Sequence, residues 1–224
     1  MKIEKYRKEY LASLYGRVYE ADLDRTFPIV RQPDLYTNWC EQNTPTYKKL
    51  ESERIWLASD HHFGHKNIMK YADRQFSSVQ EMNQHMIECH NRVVSSDDVI
   101  VLGGDIAFCS TSEANRILAQ MNGYKVLIIG NHDWERDKTL KQYDVDEVHM
   151  SYYIEKQHVL ITHVPLHSSL MVTDNRLLNI HGHIHDKLMK HPRYYNMCVE
   201  HLNYTPQLLT NVVQRYNWGI DQYK

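Results

Sequence analysis

The sequence predicts an α/β fold in which strands and helices alternate along the chain. Short apolar runs with the pattern of buried strands are separated by stretches in which apolar residues recur at helical spacing. The runs are Ile55–Ala58, Val99–Leu102, Val126–Ile129 and Val159–Ile161. Because alternating strands and helices form βαβ units, we expect a sheet covered by helices.

The helices are predicted from their apolar stripes and their end signals. Met82 and Met86 lie on an apolar stripe over Val79–Val94, and Ser112 can cap a helix over Glu113–Met121. The remaining predicted elements are a helix over Trp134–Tyr143, a hairpin around Glu155–Gln157, a strand over Tyr194–Val199 and, after Pro206, a final helix over Gln207–Tyr216.

The chain of 224 residues is long enough for one domain with an appendage. We predict an N-terminal helical extension over residues 1–53 and a main domain over residues 54–224. Tyr6 and Tyr10 belong to a helical pattern in the extension, which Pro28 then interrupts. The extension is expected to be either an arm that packs on the main domain or on a homodimer partner, or an element that sets substrate specificity.

Composition argues against several classes of protein. A net charge of −2 leaves no basic surface of the kind that binds nucleic acid non-specifically. No apolar run approaches the roughly 18 residues of a membrane span, and the N-terminus lacks the apolar core of a signal peptide. The four cysteines, Cys40, Cys89, Cys109 and Cys198, form no Cys-x-x-Cys pair, so we expect reduced thiols in a cytoplasmic protein.

Clusters of Asp, His and Asn follow the predicted strands. Ligands of open α/β sheets gather outside the carboxyl ends of the strands, so we expect these clusters to meet at one place. The clusters are Asp60-His61-His62, Gly103-Gly104-Asp105, Gly130-Asn131-His132-Asp133, Thr162-His163 and Gly182-His183-Ile184-His185. Each of the first four follows a predicted strand.

Seven of these side chains offer carboxylate, imidazole or amide ligands, which suit divalent ions. They are Asp60, His62, Asp105, Asn131, His163, His183 and His185. Seven ligands are too many for one ion, so two ions that share a carboxylate fit better. Asp105 is the natural bridge, because its two oxygens can reach two ions about 3.5–4 Å apart. Manganese is the expected metal, with Fe, Zn, Ni or Mg as alternatives.

One histidine, His132, is left outside this ligand set. Its neighbour Asn131 is the expected ligand, and adjacent residues at a strand end point in different directions. A histidine in this position can protonate a leaving group or hold a phosphate oxygen. Two ions lower the pKa of a bridging water and hold both the attacking and the leaving oxygens of a phosphoryl transfer. The set of residues therefore favours phosphoryl-transfer chemistry.

The five clusters together resemble the signature of the calcineurin-like metallophosphoesterases. That signature runs Asp-x-His, Gly-Asp, Gly-Asn-His-Asp/Glu, a lone His and Gly-His-x-His. All five blocks occur here in order between Ile55 and Glu200, and no motif position is substituted. The resemblance implies two mixed β-sheets packed face to face and flanked by helices. It also implies that residues 54–224 form a metallophosphoesterase domain.

The resemblance also assigns roles to individual residues. It implies that His132 is the catalytic histidine and that Asp133 orients its ring. It implies the following ligands for the first ion: Asp60, His62, Asp105 and His185. It implies the following ligands for the second ion: Asp105, Asn131, His163 and His183.

Three residues outside the signature are candidates for contact with the substrate or for support of the ligands. His65 and Asn67 lie in the loop beside the first two ligands, near the expected phosphate position. His181 alternates with His183 and His185, so all three are expected to face one way on an extended segment.

The predicted activity is that of a phosphodiesterase, because no long insertion separates the blocks and the groove is expected to be open. The substrate is then a phosphodiester, with a nucleotide or a nucleic-acid end as candidates. A phosphomonoesterase or a nucleotide pyrophosphatase shares the same motifs and stays an alternative. A non-catalytic metal-binding scaffold is a more distant one, since such proteins often lack the catalytic histidine. No membrane partner is expected.

Overall fold

The computed structural model describes residues 54–134, 140–167 and 176–221. All described helices and strands lie in one compact unit, formed by Pro45–Pro165 and Leu178–Lys224. The other unit combines Met1–Thr44 with Leu166–Leu177, and its four described residues include no helix or strand. The predicted helical extension over residues 1–53 lies outside the described residues.

Five strands form the first sheet: β1 (Ile55–Ala58), β2 (Val99–Leu102), β3 (Tyr124–Ile128), β4 (Glu147–His149) and β9 (Gln207–Leu208). Their order across the sheet is β4-β3-β2-β1-β9. The first four strands run parallel, and β9 pairs antiparallel with β1. The carboxyl ends of four strands therefore lie at the same edge of this sheet.

Four strands form the second sheet: β5 (Ser151–Ile154), β6 (Val159–Thr162), β7 (Leu178–His181) and β8 (Tyr194–Asn196). They lie in chain order across the sheet, and β6, β7 and β8 are parallel. β5 pairs antiparallel with β6 through a 3-10 turn at Glu155–Gln157, as the predicted hairpin requires.

Four α-helices are described: α1 (Ile68–Tyr71), α2 (Val79–Val93), α3 (Thr111–Leu118) and α4 (Leu209–Asp221). The cap of α3 is Ser110, which accepts a hydrogen bond from the Glu113 N–H, so the prediction of Ser112 was wrong. Ser110 lies three residues before Glu113, the spacing at which a cap side chain reaches a free N–H. No described helix combines the length and the apolar character needed to cross a membrane.

One hydrophobic core joins the two sheets. Leu57, Val101 and Val126 of the first sheet share it with Ile161 and Ile180 of the second, and all five are fully buried. A strand that is covered on both faces needs apolar residues at consecutive positions, so it forms a continuous apolar run in the sequence. These strands could therefore be predicted. The predicted α/β sandwich of two mixed sheets with flanking helices is confirmed.

Two elements differ from the prediction because tertiary contacts override local sequence. Gln207 and Leu208, expected to begin a helix, pair with β1 as β9. The predicted helix over Trp134–Tyr143 is wrong in its described part, where Leu140 pairs with Trp134 and no helix follows. Residues 135–139 lie outside the described residues.

Candidate metal centre

The seven predicted ligands lie just beyond the carboxyl ends of strands in both sheets. Three strands of the first sheet and two of the second supply them: β1 leads to Asp60 and His62, β2 to Asp105, β3 to Asn131, β6 to His163, and β7 to His183 and His185. Backbone hydrogen bonds join neighbouring loops, with Asp60 N–H donating to the Gly104 carbonyl at 3.0 Å and Gly182 N–H to the His163 carbonyl at 2.8 Å. The fold therefore brings the five sequence clusters together.

Five of the predicted ligands have left-handed backbone conformations. The φ angles are 59° at Asp60, 52° at His62, 53° at Asp105, 70° at His183 and 48° at His185. Non-glycine residues rarely adopt this region, and each costs of the order of 1–3 kcal/mol. The chain turns sharply at His183 and His185, so the expectation of one extended segment from His181 to His185 was wrong.

The first group that could hold a metal ion consists of Asp60, His62 and His185, whose ligand atoms all lie within 4.8 Å of one another. The Nε2 atoms of the two histidines lie 4.0 and 3.9 Å from Asp60 Oδ1. Asp60 Oδ1 and both ring nitrogens of His62 are buried and have no hydrogen-bond partner among the described residues. Asp60 Oδ1 and His62 Nε2, two buried atoms without partners that lie 4.0 Å apart, fit a bound cation.

The other oxygen of Asp60 is fully engaged by the protein. Asp60 Oδ2 accepts hydrogen bonds from the Ser59 hydroxyl, from the Cys198 thiol at 3.2 Å and from the His183 N–H at 2.9 Å. Gly182 must lie close to this oxygen, since a Cβ there would fall 2.3 Å from it. These contacts fix the carboxylate so that Oδ1 faces the histidines. No pattern in the sequence indicates the Ser59 and Cys198 contacts.

The second group that could hold a metal ion consists of Asp105, His163 and His183. Asn131 joins it, because its Oδ1 lies 3.0 Å from His163 Nε2. His163 Nδ1 lies 2.8 Å from the Gly103 carbonyl and donates to it, so Nε2 is the nitrogen that faces Asp105 and Asn131. All four predicted ligands of the second ion therefore lie together.

Asp105 lies between the two groups. Its Oδ2 is 3.6 Å from His62 Nε2 and 3.5 Å from His163 Nε2. Its Oδ1 accepts a 2.7 Å hydrogen bond from the His132 N–H. One oxygen of Asp105 thus holds the neighbouring loop, and the other faces both groups.

Asp105 and His163 form a charged pair at the centre. Burial lowers the pKa of His62 to about 2, so its ring is neutral at pH 7. Burial also favours the neutral carboxyl of Asp105, but His163 and His62 hold its pKa below the usual range. Burial opposes charge on His163, yet the Asp105 carboxylate raises the pKa of that ring to about 10. Without a metal the pair holds a proton, and carboxylate and imidazole ligands of this kind suit a divalent ion.

His132 lies at the exposed rim of the centre, with its ring centroid 5.4 Å from that of His62. Among the described residues, the hydrogen-bond partners of the Asp133 carboxylate do not include the His132 ring. The Asp133 carboxylate accepts hydrogen bonds from the N–H groups of Gly130, Asp105 and Ile106 at 2.7, 2.9 and 3.0 Å. The expected role of Asp133 is therefore corrected: it joins the loops that carry Asp105 and Asn131.

The three candidate residues outside the family signature, His65, Asn67 and His181, have different surroundings. The His65 ring lies 5.6 Å from that of His62 and borders the centre. Asn67 is exposed before α1, and its side chain makes no capping hydrogen bond. His181 is buried at the end of β7, where its Nδ1 lies 2.9 Å from the Gly182 carbonyl, and it belongs to neither metal group.

A buried ion pair that supports the centre has no counterpart in the sequence motifs. Arg74 Nη2 donates to Glu200 at 2.6 Å, and Glu200 Oε1 lies 3.1 Å from His185 Nδ1. Arg74 also donates to the carbonyls of Asp60 and His61, each at 2.7 Å. Glu200 thus orients the His185 ring, and Arg74 fixes the loop that follows β1.

Two groups of oxygen and nitrogen ligands on an α/β sandwich are the arrangement of a dinuclear metal-dependent hydrolase. The chain belongs to the calcineurin-like phosphoesterases, whose sequence profile it matches over residues 53–217. The family depends on two metal ions, and its members are phosphoester hydrolases.

The chain is also similar to one curated protein and to one solved structure. It is 33% identical over 179 residues to the uncharacterized protein MJ1445 of Methanocaldococcus jannaschii, a match that covers 76% of this chain and 95% of the relative. The crystal structure of the protein of unknown function AQ665 from Aquifex aeolicus has the same fold, with a TM-score of 0.57 and 23% identity. That match covers 72% of this chain and 98% of AQ665.

Proposed function

We propose that the protein is a phosphodiesterase that uses two divalent metal ions and protonates the leaving group with His132. The observation that carries the proposal is the position of Asp105, whose Oδ2 lies within 3.6 Å of a histidine nitrogen in each of the two groups. A carboxylate oxygen between two histidines suits a bridging ligand.

The proposed ligands divide between the two ions as the family signature implies. Asp60, His62 and His185 would hold the first ion, His163, His183 and Asn131 would hold the second, and Asp105 would contribute to both. Ions bound by these residues would supply an activated water molecule and positive charge to offset the charge that develops on the phosphoryl group. Manganese suits the oxygen and imidazole ligands, as do Fe and Zn.

The protein's own side chains supply the remaining steps. His132 is exposed beside His62, so a leaving oxygen can reach its ring. The N–H of the same residue holds Asp105 Oδ1, which couples the position of the acid to that of the bridge. As the P–O bond breaks, His132 donates its proton to the leaving oxygen and becomes neutral.

A diester substrate and a cytoplasmic location are supported by separate observations. His132 and the neighbouring Phe108 are exposed, so the described part of the centre is open on the side of the leaving group. An open rim accommodates a second substituent on phosphorus. The described cysteines, Cys89, Cys109 and Cys198, are free thiols, as in proteins of the reducing cytoplasm.

The test is hydrolysis of bis-p-nitrophenyl phosphate and p-nitrophenyl phosphate by metal-free protein resupplied with Mn²⁺. We expect faster cleavage of the diester. A preference for the monoester would instead indicate a phosphatase, and no hydrolysis of either would indicate a narrow substrate specificity or a scaffold.

The role of His132 is tested by His132→Gln with the same two substrates and with a dialkyl diester. Turnover of the dialkyl diester should fall by about 10²–10⁴-fold, the usual contribution of a general acid. The loss should be much smaller for p-nitrophenyl esters, whose leaving group needs no proton. An equal loss of turnover on the dialkyl diester and on the p-nitrophenyl esters would contradict proton donation by His132.

A further inference from the structure

An exposed row of aromatic rings extends from the rim of the metal centre. Four large hydrophobic residues are exposed among those described: Tyr71, Phe108, Tyr153 and Leu188. Two of them flank His65. The Phe108 ring stacks on it with centroids 4.2 Å apart, and the Tyr71 ring meets it edge-on at 6.3 Å. We name Tyr71, His65 and Phe108 the aromatic ledge.

The ledge lies on the side of the centre where the leaving group departs. The Phe108 ring is 5.5 Å from that of His132, the proposed proton donor. At its inner end, His65 lies 5.6 Å from His62. A substituent on the oxygen that His132 protonates therefore lies beside Phe108, which is 51% exposed.

The ledge is held in place by the loops that follow β1 and β2. Phe108 N–H donates to the Phe63 carbonyl at 2.8 Å, and Phe63 N–H donates to the Ile106 carbonyl at 2.9 Å. Gly64 permits this approach, because its φ is +79° and a Cβ there would fall 2.6 Å from Cys109 Cβ.

A buried lysine connects the ledge to the proton donor. The Lys141 ammonium donates to the carbonyls of Ala107 and His132, each at 2.8 Å. The loop that carries Phe108 and the loop that carries His132 are therefore fixed relative to each other. A subsite that is rigid before binding loses little entropy when a ligand arrives.

We propose that the aromatic ledge is a leaving-group subsite that stacks a nucleobase, so that the substrate is a phosphodiester whose leaving alcohol is a nucleoside. This inference rests on the proposed function. A flat, exposed ring accepts the face of any base, and such stacking contributes about 1–3 kcal/mol. His65 supports the Phe108 ring from one side, with ring centroids 4.2 Å apart.

The test uses adenosine 5′-(methyl phosphate), a diester with two alternative leaving groups of similar chemistry. Hydrolysis can release adenosine with methyl phosphate, or methanol with AMP. We expect adenosine to be the favoured product, because the base on the ledge places the nucleoside oxygen beside His132. Ribose 5-(methyl phosphate), which lacks the base, should show no such preference. The product ratio is internal to each reaction and does not depend on how much metal is loaded.

Phe108→Ala should shift the product ratio toward AMP on the order of tenfold, as expected from the loss of one stacking partner. Phe108→Leu, which keeps apolar bulk, should lose most of the preference as well. Tyr153→Ala is the matched control, since it removes an aromatic ring that is 47% exposed on β5, outside the ledge. It should leave the ratio unchanged.

A second readout does not require turnover. In NMR titrations of metal-free protein with adenosine, the base protons should shift upfield with wild type and Tyr153→Ala but not with Phe108→Ala.

If the diester is cleaved with the same product ratio in wild type and Phe108→Ala, the ledge proposal is wrong and the proposed function stands. If nothing is cleaved, the proposed function fails, and the NMR shifts alone decide whether the ledge binds a base.

Discussion

At the residue scale, the two buried carboxylates of the centre each divide their oxygens between the protein and the metal groups. Asp60 Oδ2 and Asp105 Oδ1 accept hydrogen bonds from the protein, whereas Asp60 Oδ1 and Asp105 Oδ2 face the histidines. Left-handed backbone at five predicted ligands gives the loops the sharp turns that this arrangement needs. The backbone at these five residues is therefore strained in the folded protein. In metal-free protein, no bond between metal and ligand offsets the free energy that this strain costs.

This strain predicts an unusual response at His183, where φ is 70°. His183→Gly and His183→Ala both remove the imidazole, but only glycine adopts this backbone without strain. In urea unfolding of metal-free protein, the glycine variant should be more stable by about 1 kcal/mol.

The control is the same pair of substitutions at Glu88, an exposed residue inside α2. There glycine should be the less stable variant by about 1 kcal/mol. An alanine variant at position 183 that equals or exceeds the glycine variant in stability would show that the left-handed conformation carries no cost.

The predictability of single residues depended on whether their role was local. The signature residues lie next to strand ends, so their meeting point could be predicted from strand order. Arg74 and Glu200 are 126 positions apart, and no local pattern links them. Asp133 was predicted to orient the ring of its sequence neighbour His132. Its carboxylate instead accepts hydrogen bonds from backbone N–H groups of two loops.

At the element scale, the parallel strands of the first sheet are aligned by a buried carboxylate at the start of β2. Asp98 accepts hydrogen bonds from the Arg54 guanidinium at 2.8 Å, the Trp56 indole at 2.9 Å and the Ser95 N–H at 3.0 Å. Burial favours the neutral acid, but these hydrogen bonds outweigh it and lower the pKa of Asp98 from 3.8 to about 2.

This pKa predicts how stability depends on pH. A carboxyl with a lowered pKa in the folded state stabilises the fold above its unfolded value of 3.8, and the contribution is lost as pH falls toward about 2. Asp98→Asn should remove this dependence and cost roughly 2 kcal/mol near neutral pH. The measurement is the free energy of unfolding of wild type and variant between pH 5 and pH 2.

The control is Asp186→Asn, which removes an exposed carboxylate. Its unfolding free energy should follow that of wild type across the same pH range. If Asp98→Asn loses stability in parallel with wild type as the pH falls, then Asp98 is not the group responsible.

The elements that sequence predicts best are those defined by burial. β1 and β2 match their predicted bounds because both faces of each strand are covered, which leaves an uninterrupted apolar run. β9 was missed because a two-residue strand at a sheet edge has no periodicity to detect. The segment around Lys141 was missed because its buried ammonium binds two carbonyls, a role that its local pattern does not reveal.

At the scale of the whole molecule, the proposed ions join two sheets. Asp60 and Asp105 extend from the first sheet, and His163, His183 and His185 extend from the second. Bound metal should therefore act as a cross-link that only the folded chain can form. The binding free energy then adds to the stability of the fold.

Metal removal should accordingly lower the melting temperature. At a Mn²⁺ concentration 100 times its dissociation constant, linkage adds about 2.7 kcal/mol. For a domain of this size that corresponds to a shift of roughly 5–10 °C. Thermal unfolding with Mn²⁺ and with excess chelator measures the shift, and equal melting temperatures in both conditions would argue against a metal that joins the sheets.

The most direct test of the central claim is the number of Mn²⁺ ions bound per chain in wild type and Asp105→Asn, measured together with diester turnover. Asp105→Asn removes the carboxylate that lies between the two groups, and Asp186→Asn is the control for the loss of one negative charge. We expect two ions and turnover in wild type and Asp186→Asn, with fewer than two ions and no turnover in Asp105→Asn. A single ion in wild type, or two ions with full turnover in Asp105→Asn, would contradict a dinuclear centre bridged by Asp105.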